Sequence, residues 1–437
     1  MAETQLYSPP YRTVAKPYGR ALVELARRRP EVVCLSGDLT RQCEIEEFQA
    51  EFGARFIHAG MAEANMIGVA GALARQGFMP FVHSFGVFTT RRPLDQIVNA
   101  VAHPRLPVRL VGFMPGVSSP GGPSHQAIED VALMRAIPGM TVIDVADATE
   151  TAQVVAAIAD VPGPVYLRLK RGEIPVIFPA DHRLSLDRAQ VLEWRGEETA
   201  GGAPTRGGAG TEGGGATSGG AQTSGGAVSL GGAQIAGAAD TEGGGQSAGG
   251  AVTRGGAQIA GLAETAGGGV SAGGGVSRGG AGIRGAAWTS VSPCDVALLV
   301  SGMMVAPGLA AARILRAAGV VTVVVSIPVI KPLDTATVLS VSTAARAVVT
   351  AENHSIIGGL GSAVAETLAE AGLGRPLRRI GLADTFAEGA RDAPYLFTKY
   401  GLSTQHIVEG AWSVLRRPGP APRAPALPAE AGEYAPV

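Results

Sequence analysis

The sequence predicts an α/β protein in which a doubly wound, mostly parallel sheet precedes a smaller α/β C-terminal domain. Short apolar runs alternate with amphipathic segments over residues 15–190, a pattern typical of strands and helices that wind around a parallel sheet. The alternation returns at smaller scale over residues 291–416. Residues 196–290 between the two are rich in glycine and poor in large side chains, so we expect a disordered insertion there.

The first domain is expected to follow an N-terminal extension, residues 1–14, and to contain strands and helices in near alternation. In chain order they are helix GRALVELARRRP, strands EVVCLSGDL and RFIHAG, a helix that begins near Glu63, strand MPFVHSF, a helix near PLDQIVNAVA, strand PVRLVGF, helix AIEDVALMRAI, strand MTVIDVA, helix ATETAQVVAAIA and strand GPVYLRLK. Short apolar strands joined by helices predict parallel pairing, because parallel strands need a crossover connection.

The second domain repeats this style with fewer elements. Its predicted elements are strand DVALLVSG, helix PGLAAARILRAAG, strands VTVVVSI and RAVVTAE, helix GSAVAETLAEAG and strand PLRRIGL. Residues 417–437 are rich in Pro and Ala, and we expect this tail to be disordered.

The glycine-rich insertion contains a tandem copy: GGAQIAGAADTEGGG begins at 231 and GGAQIAGLAETAGGG at 255. Residues 196–287 contain no Phe, Tyr or Trp, so the tract cannot bury enough surface to offset its backbone entropy. Glycine does not recur at every third position, which excludes collagen. The repeated aspartates of a calcium-binding β-roll are also missing. A flexible spacer is the interpretation that remains.

Composition excludes several classes of protein. The formal net charge is −1 and 17% of residues are charged, with no basic block for nucleic acid and no acidic tail. The three cysteines, Cys34, Cys43 and Cys294, form no CxxC pair, which favours a reducing compartment over a disulfide framework. The N-terminus has no secretory signal pattern and no apolar run is long enough for a membrane span. We therefore expect a soluble, cytoplasmic protein.

Glu63 is a carboxylate on an otherwise apolar helix face. Met66, Ile67, Ala70 and Ala74 follow it at three, four, seven and eleven residues, which is the spacing of one face of a helix. An apolar surrounding disfavours the charged form, so such a carboxyl group can share or donate a proton. The alternative is an exposed glutamate that the dipole favours at a helix N-terminus.

Polar or glycine-rich segments follow several of the predicted strands. They are SGDLTRQ, HAGMAEAN, HSFGVFTTRR, GVSSPGGPSHQAIED and LKRGE. Ligands of open α/β sheets bind beyond the carboxyl ends of the strands. These segments therefore predict a site at that edge of the first sheet.

These segments, in this order, resemble the pyrimidine-binding domain of transketolases, and CDVALLVSGMMV, SIPVIKPLD and AENHSIIGGLGSAVAE resemble the family's C-terminal domain. The similarity covers about residues 15–190 and 291–410. The family's diphosphate-binding domain, whose GDG…N motif holds Mg²⁺ and the diphosphate of thiamine diphosphate, is missing, and no P-loop or GxGxxG replaces it. The resemblance therefore implies the C-terminal subunit of a split transketolase, which needs an N-terminal subunit, plausibly as an α₂β₂ assembly, and is inactive alone.

The resemblance assigns four residues to the cofactor. Glu63 matches the glutamate that hydrogen-bonds N1′ of the aminopyrimidine and so makes the cofactor nucleophilic. Phe85 and Phe88 match the aromatic wall against which that ring packs, and Phe88 is the preferred stacking residue. Asp38 in SGDLT matches an aspartate near the cofactor.

The substrate side is assigned in the same way. His125 in GGPSHQ matches the histidine that faces the donor's oxygens, where it can move a proton. Arg171 aligns with an arginine that binds the sugar phosphate through its fork of donors, and Arg41 lies near another loop at the phosphate end. Arg91 and Arg92 align weakly with the same role.

The sequence departs from the transketolase family at two positions that contact the substrate. Where common transketolases read EDGPTH, this chain reads PGGPSH, with Gly121 in the place of a substrate-binding aspartate. A family histidine near the acceptor phosphate aligns with Phe113. Both changes predict weaker selection for a phosphorylated (2R)-hydroxyaldehyde acceptor.

His354 belongs to a glycine-rich turn that could bind an anion at a helix N-terminus, but a structural role is favoured.

Three alternatives remain open from the sequence. The β subunit of a 2-oxoacid dehydrogenase shares this fold and a glutamate for the pyrimidine, although GGPSHQAIED and ALMRAIPGM favour transketolase. A fragment of a deoxyxylulose phosphate synthase is a second alternative. The third is a non-catalytic scaffold subunit, against which the presence of Glu63, Phe85, Phe88 and His125 argues.

Replacing residues 196–290 by a short turn is predicted to leave folding and catalysis intact. VLEWRGE and SPCDVALLVSG resemble consecutive strand segments that relatives join by a short turn, and an insertion at a loop tip costs only about 0.6 kcal/mol for each doubling of loop length. Circular dichroism, size-exclusion chromatography and activity with the partner subunit would measure the effect. Loss of soluble assembly or of activity would contradict the prediction.

Overall fold

The computed structural model describes residues 11–193 and 293–423 of the chain. The expectations for the N-terminal extension, apart from residues 11–14, for the insertion 196–290 and for the tail beyond 423 lie outside the described residues.

Fourteen strands lie in the described residues. They are β1 (Thr13–Ala15), β2 (Val32–Ser36), β3 (Phe56–His58), β4 (Met79–Phe85), β5 (Arg109–Phe113), β6 (Thr141–Asp144), β7 (Val165–Leu169), β8 (Glu173–Pro175), β9 (Gln190–Glu193), β10 (Cys294–Val300), β11 (Thr322–Ser326), β12 (Val329–Lys331), β13 (Ala345–Ser355) and β14 (Leu377–Leu382).

The α-helices of the described residues connect these strands. They are α1 (Pro17–Arg28), α2 (Glu46–Glu51), α3 (Glu63–Arg75), α4 (Gly86–Thr90), α5 (Leu94–Gln96), α6 (Asp130–Ala136), α7 (Ala148–Ala159), α8 (Val305–Ala317), α9 (Thr335–Ala344), α10 (Leu360–Glu370), α11 (Ala393–Lys399) and α12 (Thr404–Val414). Residues Ile97–Ala102 continue α5 as a π-helical turn. No described helix has the length and apolar character that a membrane span requires.

The first sheet confirms the predicted fold class. Its seven strands have the order β12-β6-β7-β5-β4-β2-β3, and every pair except β12–β6 is parallel. Helices α1 and α7 cover one face, and α3, the π-helical turn and α6 cover the other. Because the strands are parallel, the loops after β2, β4, β5 and β7 meet at one edge.

The second sheet has five strands in the order β14-β13-β10-β11-β9. Helices α8 and α12 pack on one face and α9 and α10 on the other. Strand β9, which precedes the insertion, pairs antiparallel with β11 of this sheet, whereas β12 from the C-terminal half pairs with β6 of the first sheet. The strands on either side of the insertion, β9 and β10, therefore share a sheet without being neighbours.

A buried charge cluster joins the two domains. The guanidinium of Arg168, at the carboxyl end of β7, donates to Asp130 Oδ2 at 2.7 Å and to Asp144 Oδ2 at 3.0 Å, and all three side chains are almost fully buried. Arg168 also donates to the backbone oxygen of Asn353 on β13 at 3.0 Å. Burial disfavours the charge of Arg168, but the two carboxylates outweigh it and raise the pKa of this arginine. The cluster fixes the end of β7 to the second domain.

Part of the C-terminal tail that the sequence predicts to be disordered packs on the second domain. Trp412 Nε1 donates to the backbone oxygen of Gly419 at 3.1 Å, and Ala421 lies against the hydrophobic core beside α12. Within the described part of the chain, the predicted tail thus has contacts with the second domain at Gly419 and Ala421. The indole supplies an apolar face and a hydrogen-bond donor, and composition alone does not reveal that anchor.

Glu44 is a buried carboxyl group outside the hydrophobic core. Its Oε1 accepts from the backbone N–H of Gly172 at 2.9 Å, while Oε2 is buried and makes no hydrogen bond. Burial raises the pKa of Glu44 from 4.5 to about 7, although the Gly172 N–H, Lys16 and Arg171 oppose the shift. Folded Glu44 thus holds its proton more tightly than the unfolded side chain does.

Glu44→Gln is predicted to make stability less dependent on pH. In the wild type the free energy of unfolding should fall as the pH rises from about 4.5 to about 7, because the folded state must give up a proton that the unfolded state has already lost. The variant should gain about 3 kcal/mol relative to the wild type between these limits. Urea unfolding at several pH values measures the change. Glu47→Gln, on the exposed side of α2, is the control, and parallel profiles for wild type and Glu44→Gln would contradict the prediction.

Candidate functional site

Glu63 is the first residue of α3 and lies at the carboxyl edge of the first sheet. Its side chain is 4% exposed, while Met66, Ile67, Ala70 and Ala74 of the same helix are buried, as the periodicity predicts. The helix N-terminus favours a negative charge at this position. The two interpretations of Glu63 from the sequence thus each hold in part, because the carboxylate is both helix-terminal and buried.

Arg92 contacts this carboxylate. Its Nη1 donates to Glu63 Oε1 at 2.8 Å, and its Cζ lies 4.1 Å from the centre of the Phe88 ring, a cation–π distance. The Arg92 side chain is 50% exposed. A half-exposed cation therefore bridges the buried carboxylate and the aromatic ring.

Three aromatic rings stand beside this pair. Phe85 and Phe88 are stacked with ring centres 6.1 Å apart and an interplanar angle of 24°. The His125 ring meets Phe88 edge-on at 5.3 Å and Phe85 at 6.4 Å, and its Nδ1 lies 2.9 Å from Ser124 Oγ. The structure therefore brings together Glu63 at the start of α3, Phe85 and Phe88 at the junction of β4 and α4, and His125 on the loop after β5.

The loop that carries His125 is clamped at its tip by the second domain. Gly121 forms a β-bridge with Gly389, a residue between β14 and α11. Gln126 Nε2 donates at 3.1 Å to the backbone oxygens of both Ser119 and Glu388, and Gln126 is buried. The backbone on both sides of His125 is thereby held in place.

The root of the same loop is held by Asn353. Its Oδ1 accepts from the N–H of Val117 at 3.0 Å, and its Nδ2 donates to the oxygen of Pro115 at 2.9 Å. Gly116 between them has φ of +55°, and a Cβ there would come within 2.2 Å of the Asn353 oxygens. Only glycine fits this approach, so the contact is specified from both sides.

Arg91 anchors the loop from the first domain. Its guanidinium donates to the backbone oxygens of Pro123 and Gln126 at 3.1 Å and forms an ion pair with Glu129. These bonds use Arg91 for structure. Its weak alignment with a phosphate-binding arginine thus finds no support in its contacts.

Gly121 lies directly against His125. A Cβ at this position would come within 2.9 Å of His125 Cβ and 3.1 Å of Cγ. An aspartate at 121 and the present position of His125 therefore exclude each other. The glycine in the substrate-binding slot and the pose of the histidine are one structural feature.

Phe113 does not line the site. It is fully buried at the end of β5, where its ring meets Tyr18 edge-on at 5.4 Å in the core beneath α1. The alignment gives Phe113 the place of a phosphate-facing histidine, whereas its side chain is buried in the core, on the same sheet face as its register partner Phe85.

Asp38 and His58 form a pair at the ends of β2 and β3. Asp38 has φ of +66°, and its Oδ1 lies 3.1 Å from His58 Nε2, with both side chains about half exposed. Asp38 is predicted from sequence, whereas His58 is not. The signal that could have identified His58 is its place at the end of a strand next to the strand that leads to Asp38.

Arg41 and Arg171 lie on the loops after β2 and β7. The charge of Arg171 acts on Glu44 and Cys43, and Arg41 is exposed. Within the described ranges, neither guanidinium bonds to Glu63 or His125 or stacks on Phe88. Their role at the phosphate end stays a prediction.

His354 is fully buried and has a structural environment. Its Nδ1 lies 2.7 Å from the backbone oxygen of Ser355, and its Nε2 accepts from the N–H of Ala132 at 3.3 Å, which together assign the neutral tautomer with the proton on Nδ1. The N-terminus of α10 is already capped by Glu352, whose carboxylate accepts from the N–H groups of Leu360 and Gly361 at 2.6 and 2.8 Å. The place that an anion could take at this turn is therefore filled by the chain's own side chain, in line with the structural role that the sequence favours.

Comparison with known proteins adds family information to this geometry. Residues 11–176 match the family model for the transketolase pyrimidine-binding domain, and residues 285–407 match that for the transketolase C-terminal domain. An uncharacterized transketolase family protein of Sinorhizobium fredii is 33% identical over 90% of this chain and 86% of its own length. A 6-deoxy-6-sulfo-D-fructose transketolase subunit of a Clostridium species is 32% identical over 92% of this chain and 94% of that protein.

A solved structure agrees with these matches. A split-gene transketolase described as an inactive β4 tetramer is 29% identical to this chain, with a TM-score of 0.65, and the match covers 93% of this chain and 99% of that one. The fold and the family resemblance that the sequence predicts are thus both confirmed.

Asn353→Leu is predicted to loosen the His125 loop. The change leaves the buried N–H of Val117 and oxygen of Pro115 without partners, at a cost of about 2–4 kcal/mol of unfolding free energy. Hydrogen exchange followed by mass spectrometry should show faster exchange over residues 116–126. Asn99→Leu, whose amide bonds only to Asp95 on the surface, is the matched control. Unchanged exchange in this loop would show that Asn353 does not hold it.

Proposed function

Because this chain belongs to the transketolase family, we propose that it catalyses thiamine diphosphate-dependent transfer of a two-carbon ketol unit from a ketose donor to an aldehyde acceptor. It does so as the C-terminal subunit, together with a separate subunit that binds the diphosphate. The observation that carries the proposal is the buried carboxylate of Glu63 beside Phe88 and His125 at one edge of the sheet.

The residues at this edge fit the pyrimidine end of the cofactor. An aminopyrimidine is planar and needs an apolar face and a carboxyl partner for its ring nitrogen, and the partly exposed rings of Phe85 and Phe88 lie beside Glu63. Glu63 Oε1 bonds to Arg92, and within residues 11–193 and 293–423 Oε2 makes no hydrogen bond and is available. A ligand with a polar edge would satisfy this oxygen.

Glu63 would hold the pyrimidine at N1′ and exchange a proton with that nitrogen. When bound, the cofactor would supply the nucleophilic carbon that accepts the two-carbon unit. Phe88 would pack against the pyrimidine ring with Phe85 behind it, and such aromatic contacts contribute about 0.5–1.5 kcal/mol beyond area burial. Asp38 contributes to the cofactor side through its contact with His58.

His125 serves the substrate. Its ring is fixed by the two phenylalanines and by Ser124, with the loop clamped by Gly389 and Asn353. From this position His125 donates a proton to the oxygens of the ketose donor, or accepts one from them, as the two-carbon unit is added and released. Arg171 and Arg41 are proposed to bind the distal, charged end of the substrate.

The partner is an N-terminal transketolase subunit that carries GDG…N and holds the diphosphate and, mainly, Mg²⁺. Within the described ranges, no three His, Cys, Asp or Glu side chains are grouped so that they could hold a metal ion. The split-gene relative is described as an inactive β4 tetramer, which supports the idea that this chain alone assembles without turnover. The active form is proposed to be α₂β₂.

The acceptor is proposed to be a less hydroxylated or modified sugar. Gly121 supplies no carboxylate, and its contact with His125 leaves no room for one. One relative is named for 6-deoxy-6-sulfo-D-fructose, a ketose, which supports a modified sugar as the donor rather than a common ketose phosphate. Two alternatives to ketol transfer make different demands. A 2-oxoacid dehydrogenase would need a lipoyl carrier, and a non-catalytic scaffold subunit would not need Glu63.

The proposal is tested with the complex of this chain and a GDG…N subunit. With thiamine diphosphate and Mg²⁺, we expect ketol transfer without a lipoyl acceptor, and Glu63→Gln should lower kcat by about 10²–10⁴-fold because the isosteric amide cannot share the proton. The donors assayed should include a 6-deoxy-6-sulfo ketose and common ketose phosphates. Arg75→Met, at the exposed far end of α3, is the control.

Three outcomes would contradict parts of this function. Full activity of Glu63→Gln would favour the scaffold interpretation. Turnover that requires a lipoyl carrier would favour the dehydrogenase. Strong preference for ribose 5-phosphate or erythrose 4-phosphate as acceptor would overturn the proposed acceptor class alone.

A further inference from the structure

The contact between Arg92 and Glu63 has no role in the scheme above. The carboxylate is 4% exposed, and a buried charge is costly unless it is paired. Within the described residues, Arg92 is the charged group in ion-pair contact with it, through a single bond from Nη1 to Oε1 at 2.8 Å. The pairing therefore stabilises a carboxylate at this position, in addition to the helix N-terminus.

The sequence fixes the place of Arg92. It follows Phe88 by four residues, just beyond α4, and its guanidinium lies 4.1 Å from the centre of the Phe88 ring. The guanidinium of Arg92 packs on the Phe88 ring, Nη1 bonds to Glu63, and the Arg92 side chain remains half exposed. Arg92 thus touches the same carboxylate and the same ring as the proposed cofactor site.

Other titratable groups near α3 are engaged elsewhere. On β4, His83 bonds to Tyr18 and to the backbone oxygen of Leu35, on the face covered by α1. Asp95 of α5 accepts from Asn99. His125 contacts the edge of Phe88, and no hydrogen bond or ion pair joins it to Glu63 in the described part of the chain. Arg92 is therefore the cation that can act on Glu63 directly.

We propose that Arg92 is a positioning residue: it holds Glu63 as a carboxylate through Oε1 and leaves Oε2 for the ring nitrogen of the cofactor. This inference rests on the proposed function. A cation at this distance favours the ionised form of a carboxyl group. The proton shared between Oε2 and the nitrogen therefore lies toward the nitrogen, while the charge left on Glu63 is balanced by Arg92.

The first test uses the full chain without cofactor. Infrared difference spectra between each protein and its Glu63→Gln version isolate the carbonyl stretch of protonated Glu63. At each pH measured, Arg92→Met should show a stronger band than the wild type, because loss of the neighbouring cation disfavours the carboxylate. Arg92→Lys should restore most of the ionised form. Arg75→Met removes the same charge from the far end of α3 and should behave as the wild type.

The second test measures thiamine diphosphate binding to the complex with the GDG…N subunit. Calorimetry in buffers of different ionisation enthalpy counts protons. The wild type should take up about one proton per site near pH 7, because a carboxylate and a neutral nitrogen must acquire the proton that they share, and Arg92→Met should take up far less. Thermal melts confirm that each variant is folded.

Two results would overturn the inference. One is an equal ionised fraction of Glu63 in the wild type and folded Arg92→Met. The other is tighter thiamine diphosphate binding by Arg92→Met with unchanged proton uptake, which would show that Arg92 only fills the place of the cofactor. If thiamine diphosphate does not bind the complex at all, the proposed function fails, while the infrared test still reports on the Arg92–Glu63 pair.

Discussion

The position of the candidate site depends on the buried charge of Arg168. Two carboxylates surround it, and its Nη2 also donates to the backbone oxygen of Asn353 in the other domain. A guanidinium without these partners could not remain in the interior, because the desolvation cost of an unpaired ion is several kcal/mol. Since Asp130 opens the helix that follows the His125 loop, the same cluster that joins the domains also sets where that loop ends.

The C-terminal domain therefore contributes to the site without supplying a proposed catalytic residue. Asn353 holds the root of the His125 loop, and the segment with Glu388 and Gly389 holds its tip. Arg91 anchors the same loop from the first domain. Binding residues on loops need a rigid support, and in this protein the support comes from both domains.

The sequence predicts the helix of Glu63 because that helix shows in local periodicity, and the resemblance to a family motif of a few residues names Phe85 and Phe88, whose rings lie beside each other. It does not predict Asn353 as a loop anchor, since that residue lies 236 positions from Val117 and long-range contacts leave no local pattern. The alignment of Phe113 with a phosphate-facing histidine does not reveal that its ring packs against Tyr18 in the core, because that contact joins residues far apart in the chain. Arg92 is an intermediate case: its spacing of four from Phe88 was visible, but its contact with Glu63 depends on how α3 and α4 meet.

The exchange of β9 and β12 between the two sheets bears on how such a chain can diversify. Each half of the protein contributes one strand to the sheet of the other half, so recombination could not exchange one half independently of the other. A foreign C-terminal half would bring its own version of β12, which must match the edge of β6 in register and side-chain size. Substitutions at that edge are thus constrained by a segment encoded far downstream, and lineages of this architecture should exchange whole genes more readily than parts of them.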